Sequence, residues 1–106
     1  MFVILWEFEV KPGSEPAFES AYSTQGEWVR LFQRDPHYRM TYLLKDTSRP
    51  RIYFTMDLWD SENAYDNFKN VNREAYQALD HATGVFTLRE RFIGAFRQSD
   101  PATLTP

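Results

Sequence analysis

The sequence predicts a single α+β domain in which a four-stranded antiparallel sheet carries two helices on one face. Three observations carry that prediction. Apolar periodicity switches between two and three-to-four residues in the order strand, helix, strand, strand, helix, strand. The length, 106 residues, is enough for one domain and too short for a second. Hydrophobic residues make up 42% against 25% charged, which supplies enough apolar surface to offset the ordering entropy of a fold.

The first strand runs from Phe2 to Val10. Phe2, Ile4, Trp6, Phe8 and Val10 fall on one side and Val3, Leu5, Glu7 and Glu9 on the other, until Lys11-Pro12-Gly13 breaks the alternation. Ser14 stands where an N-cap belongs, with Glu15 and Pro16 in the first turn, where an acid suits the helix dipole and proline forfeits no internal hydrogen bond. Phe18, Ala21, Tyr22, Trp28, Val29 and Phe32 then recur at helical spacing, Gly26 weakens the middle, and Asp35-Pro36 ends the helix.

The second strand spans Arg39 to Asp46, Thr47-Ser48-Arg49-Pro50 makes a turn of hairpin size, and the third strand, Arg51 to Trp59, returns antiparallel. Ile52, Phe54, Met56 and Leu58 give the third strand an aliphatic side; Tyr53, Thr55, Asp57 and Trp59 give it an amphipathic, aromatic one. Asp60 or Ser61 caps a second helix whose stripe is Ala64, Tyr65, Phe68, Val71, Ala75, Tyr76 and Leu79, with its stop at Gly84. Val85 to Phe96 forms the last strand. Residues 1–97 therefore make the domain, and the polar, proline-containing residues 98–106 are expected to form a flexible tail. The order is that of the ferredoxin-like fold, with right-handed crossovers placing both helices on one side.

Several strands are apolar on both sides, as where Val3 and Leu5 oppose Phe2 and Ile4. Two short helices cover one face only, and a bare apolar sheet exceeds the few hundred Å² that monomers usually expose. A homodimer through the sheet face is therefore expected.

Composition narrows the partners. Lysine plus arginine number 12 against 15 acids, a net charge of -3, so no cationic surplus is available for nucleic acid. The absence of cysteine removes thiolate nucleophiles, disulfides, iron–sulfur clusters and thiolate zinc sites. Two histidines far apart have no metal-ligand spacing, and the four scattered glycines form no phosphate loop. The apolar opening Met1-Phe2-Val3-Ile4-Leu5-Trp6 meets Glu7 and Glu9 too soon for a signal peptide or membrane span, so a soluble, cytoplasmic protein with no membrane partner is expected.

Lys11-Pro12-Gly13-Ser14-Glu15 ahead of Phe18 and Tyr22, then Asp35-Pro36-His37-Tyr38, and above all Tyr53 with Leu58-Trp59-Asp60-Ser61-Glu62-Asn63-Ala64-Tyr65, resemble the antibiotic biosynthesis monooxygenase family of dimeric α+β barrels. The resemblance covers the chain up to Phe96. In members that oxidise polycyclic aromatics to quinones without metal or flavin, it implies a site between helices and sheet. That site uses an Asn four residues before the junction Trp, the Trp itself, a Tyr six residues after it, and an Arg late in the second helix. Trp59 and Tyr65 match and are the catalytic candidates. Thr55 occupies the Asn position, and Leu79, Asp80 and His81 stand where the Arg would be. The haem-degrading branch, similar in fold, shares the junction Trp, but Trp6 aligns with its strand Asn and His81 lies beyond the expected turn.

The resemblance thus implies a hydrophobic aromatic or quinone-type substrate, no metal and no cofactor, with Thr55, Tyr53, Phe68 and His81 as substrate-binding candidates beside Trp59 and Tyr65. Each has a plainer reading. Trp59 and Phe68 suit a core, Tyr65 suits packing on the helix stripe, and His81 suits a helix C-terminus as well as a general base. His37 reads as an exposed loop residue. Glu7, Glu9, Asp57, Arg89 and Arg91 are expected to share the face opposite the third strand's aliphatic stripe, forming an ionic network at the dimer interface or lining a polar pocket. A non-catalytic dimeric ligand-binding or stress-associated barrel is the competing function, with a haem-binding relative as the third.

Overall fold

Strand alternation and helix stripes assemble as expected in a computed structural model, which describes residues 1–100. The elements are β1 (Phe2–Val10), α1 (Glu15–Tyr22), α2 (Glu27–Phe32), β2 (Tyr38–Lys45), β3 (Ile52–Trp59), α3 (Glu62–Val71), α4 (Arg73–Thr83), a single 3-10 turn (Gly84–Phe86) and β4 (Thr87–Arg97). The sheet order is β2-β3-β1-β4 with every pair antiparallel. This is the ferredoxin-like α+β fold. Of the expected tail, the Gln98 N–H donates to the Met1 carbonyl at 2.9 Å; residues 101–106 lie outside the described residues.

Each of the two expected helices is divided into two segments. Gly26 is the first break. A Cβ there would stand 2.4 Å from the Ala21 carbonyl oxygen and 2.5 Å from that of Ser20, so only glycine lets α2 start against the end of α1. Asn72 is the second. Its side-chain amide and its backbone N–H both donate to the Phe68 carbonyl, at 3.1 and 2.9 Å, which closes α3 while the Asn72 carbonyl accepts from Tyr76 to open α4. Val71 beside this break is exposed and leaves the apolar stripe. At the start of α1, Ser14 makes no side-chain cap. Glu15 instead accepts from the Gly13 N–H at 2.7 Å, with Gly13 at a φ of 87°. Ser61 does cap α3, accepting from the Ala64 N–H at 3.1 Å.

Cross-strand register settles which sheet face meets the helices. Trp59 pairs with Phe2, Asp57 with Ile4, Thr55 with Trp6 and Tyr53 with Phe8, so these side chains share one face. Phe2, Ile4, Phe8, Tyr53 and Trp59 pack there against Phe18, Tyr22 and Ala21 of α1, Trp28, Leu31 and Phe32 of α2, and Phe68 of α3. The aliphatic stripe of β3 is the open side. Paired across strands on that side, Leu58 meets Val3 and Met40, and Met56 meets Leu5 and Tyr42.

The same register corrects the expected charge cluster. Glu7 pairs with Phe54 and with Arg91, and Glu9 with Arg89, so these charges lie on the open face with the aliphatic stripe. Arg91 donates to Glu7 at 2.8 Å, Arg49 approaches it at 3.6 Å, and Arg89 stands 3.9 Å from Glu9. Arg91 holds the buried Glu7 carboxyl below its ordinary range, against the opposing effect of burial. Asp57, one strand position out of phase, faces the helices instead.

Candidate functional site

Between sheet and helices lies a cavity of about 290 Å³. The sheet contributes Ile4, Trp6 and Phe8 from β1, Thr41 from β2, Thr55 and Asp57 from β3, and Glu90 from β4. The helices contribute Tyr22 from α1, Trp28 and Phe32 from α2, Tyr65 and Lys69 from α3, and Tyr76 and Asp80 from α4. Every strand and every α-helix supplies a wall residue, because the inward positions of the sheet and the apolar stripes of the helices meet here without filling the space.

A hydroxyl bolts the helical walls together. Thr83, at the end of α4 and buried, donates to the Leu79 carbonyl at 2.9 Å, and its oxygen accepts from Trp28 Nε1–H at 3.2 Å and from the Tyr22 phenol at 3.3 Å. Both aromatic walls are thereby fixed by their polar tips with their rings toward the cavity side. Lys69 lies over the other two phenol rings, 5.4 Å from the centroid of Tyr65 and 5.0 Å from that of Tyr76. Burial raises the Tyr65 phenol above its ordinary range and, with the Asp80 carboxylate, pushes Tyr76 up to about 12, so both stay protonated donors at neutral pH.

Asp57 is the one buried carboxylate on the cavity wall. Thr41 donates to its Oδ1 at 2.6 Å, and the Tyr38 and Thr41 hydroxyls are 2.7 Å apart. The Thr41 proton being committed to Asp57, Tyr38 is the donor to Thr41, and the chain of donors points at the carboxylate. Burial pushes Asp57 up to about 6, with the Thr41 bond opposing it. Glu90, partly buried at the β4 edge, is also raised by burial while Thr87 donates to it at 2.9 Å.

The structure brings two of the sequence candidates to the cavity, Tyr65 and Thr55. Trp59 lies behind the wall, fully buried, meeting Tyr65, Phe32 and Tyr38 edge-on, and its indole Nε1–H has no hydrogen-bond partner. Phe68 is likewise fully buried, 5.0 Å from Trp59 and 5.5 Å from Phe32 between centroids. Tyr53 packs on Phe18 and donates to Glu19, away from the cavity wall. His81 is exposed on α4 and is not a wall residue. His37 sits in the loop before β2, its Nδ1 3.0 Å from Asp35.

Sequence reasoning placed Asp57 with the wrong charges and gave no role to Thr41 or Thr83. A signal for Asp57 existed: an acid between Thr55 and Trp59 on the amphipathic side of β3 has no cationic neighbour on that side. For the two threonines there was none, since a hydroxyl's task is set by groups distant in sequence.

Such a fold and site define a small α+β domain with an aromatic-walled cavity beside a buried acid. The chain belongs to the antibiotic biosynthesis monooxygenase family, whose model matches residues 1–80. Among solved structures it is similar to SnoaB, a cofactor-independent oxygenase from Streptomyces nogalater, at 18% identity and a TM-score of 0.73, covering 99% of this chain and 97% of that one. A variant of MhuD with two manganese protoporphyrin IX groups bound per active site gives 18% identity and 0.73, covering 97% and 99%. Rv0793 from Mycobacterium tuberculosis gives 13% identity and 0.73, covering 96% and 98%. At these identities the likeness establishes the fold. No curated protein matches the chain. Among the described residues no helix is long and apolar enough to cross a membrane.

Proposed function

We propose that the protein is a cofactor-independent monooxygenase acting on a small, electron-rich aromatic of the phenol or hydroquinone class. The observation that carries the reading is the cavity: about 290 Å³, walled by seven aromatic rings, with the Tyr65 and Tyr76 phenols beside the Lys69 ammonium. Its size is at the lower end of ligand pockets, which usually span about 300–1,000 Å³, and suits a few fused rings. Aromatic walls and fixed donors would favour the charge that builds on a substrate oxygen as the substrate reduces dioxygen. A phenol with a hydrogen-bearing para carbon would take one oxygen atom of dioxygen at that carbon, giving the para-quinone, and the other atom would leave as water.

Two copies would associate through the open sheet face. Met40, Tyr42 and Leu44 are each 44% exposed and Phe96 is 49% exposed in the single chain, and a second copy would cover them together with the Glu7–Arg91 pair. The non-catalytic binding module remains the second reading, favoured by Thr55 at the position where the family's quinone-forming members have Asn. A haem reading lacks a histidine axial ligand, since neither His37 nor His81 lines the cavity.

Oxygen uptake under air with a panel of phenols and hydroquinones, without added flavin or metal, tests the proposal. Uptake that Tyr65→Phe slows supports it; binding of the panel with no uptake supports the non-catalytic module.

A further inference from the structure

The geometry points to Asp57 as the proton acceptor of this site, the group that removes the phenolic proton of the substrate before oxygen reacts. This inference rests on the reading above and adds the residue that starts the reaction. The O–H bond of the substrate breaks, its proton goes to Oδ2 of Asp57, and the electron pair stays on the substrate oxygen.

Three features of the surroundings carry it. Asp57 has no ion-pair partner among the described residues, and its single side-chain hydrogen bond comes from Thr41 to Oδ1. Oδ2 accepts nothing from the described residues although Asp57 is a cavity wall residue, which leaves its lone pairs for a ligand in the cavity. A carboxylate this buried is costly unless paired, and among the described residues the fold supplies only the Tyr38–Thr41 chain, which fixes Oδ1 without neutralising it.

The titratable groups facing the same cavity complete the arrangement. From α3 come Tyr65 and Lys69, from α4 Tyr76 and Asp80, from α1 Tyr22 and from β4 Glu90. Lys69 is the one cation among them. The proton would therefore move to the sheet floor while the new oxyanion is held near the phenols and ammonium of the helical side. Asp80 is exposed and Glu90 only partly buried on the edge strand β4, which leaves Asp57 as the one acid buried in the cavity wall. Its elevated proton affinity suits a base working near neutrality.

Rates and binding measured between pH 4.5 and 8 test this. Oxygen uptake with a naphthalenediol should fall below a midpoint near pH 6 in the native protein and drop about a hundredfold or more in Asp57→Asn, a typical loss for a general base. Thr41→Val, which removes the bond that favours the charged form, should move the midpoint upward. Retention of methoxynaphthalene, a ligand with no proton to give, checks that each variant keeps its cavity. An Asp57→Asn protein that binds methoxynaphthalene and turns over at the native rate overturns the role of Asp57 and leaves the monooxygenase reading standing. Where the native protein consumes no oxygen, the monooxygenase reading falls and naphthol binding decides for Asp57. Affinity that rises through pH 6 in the native protein and is flat in Asp57→Asn upholds it; equal profiles overturn it.

Discussion

Trp59 and Tyr65 meet edge-on, ring centroids 5.4 Å apart at 65°, yet only Tyr65 reaches the cavity. The strand-to-helix junction therefore holds a support and a contact residue. Trp59→Ala should lower stability by about 3–5 kcal/mol, the usual cost of emptying a large aromatic site in a core. Tyr65→Phe, which keeps the ring, should cost about 1 kcal/mol or less while slowing oxygen uptake. Denaturant melts beside uptake rates check this; equal destabilisation by both substitutions would contradict the division of labour.

Asp57 makes stability depend on pH in a definite direction. Its ordinary value of 3.8 rises to about 6 on folding, so between those two values the folded chain holds more protons than the unfolded one, and stability falls as pH rises. The penalty is absent below about 3.8 and complete above about 6. Asp57→Asn should thus be more stable than the native protein at pH 7, by up to roughly 3 kcal/mol, with the advantage gone near pH 3.5. Thermal melts of the two proteins across that range provide the measurement, and a constant difference would contradict the account.

Thr83 supports the helical wall through Trp28 and Tyr22. Thr83→Val keeps the shape and strands both donors, for a loss of about 1–3 kcal/mol, whereas Thr83→Ser should restore most of it. Urea melts, with aromatic-ligand affinity as a second readout, distinguish a lost hydrogen bond from lost packing. Failure of the serine variant to recover would assign the effect to the methyl group.

Met56 faces Leu5 and Tyr42 in the middle of the open sheet face. Met56→Glu places a charge where a second copy would sit. It should convert a dimer into a folded single chain in sedimentation runs, since an unpaired charge buried in an interface costs several kcal/mol. A dimer that persists would move the association to another surface.

Much of the fold was legible because the alternation is clean. Phe2 to Val10 reads as one strand to the residue, and Gly26 reads as a weak point of the first helix although not as the full break it makes. Asn72 did not, because a polar residue within a helical stripe looks the same whether it continues or ends the helix. Which sheet face meets the helices was not legible either: β1 and β3 are apolar on both sides, and only the register of Glu7 with Phe54 and of Asp57 with Ile4 decides it. That ambiguity hid the site. Tyr65 and Thr55 could be named from the family resemblance, which fixes their offsets from Trp59, but Asp57 could not be separated from Glu7 and Glu9 until the strands were aligned.

Isotopically labelled dioxygen gives the most direct test of whether the cavity performs an oxygenation. Mass spectrometry of the quinone formed from a single-ring or fused-ring phenol should find one labelled oxygen atom in the product, with the second in water. A bound phenol recovered unchanged, or a quinone carrying no label, would contradict the monooxygenase account.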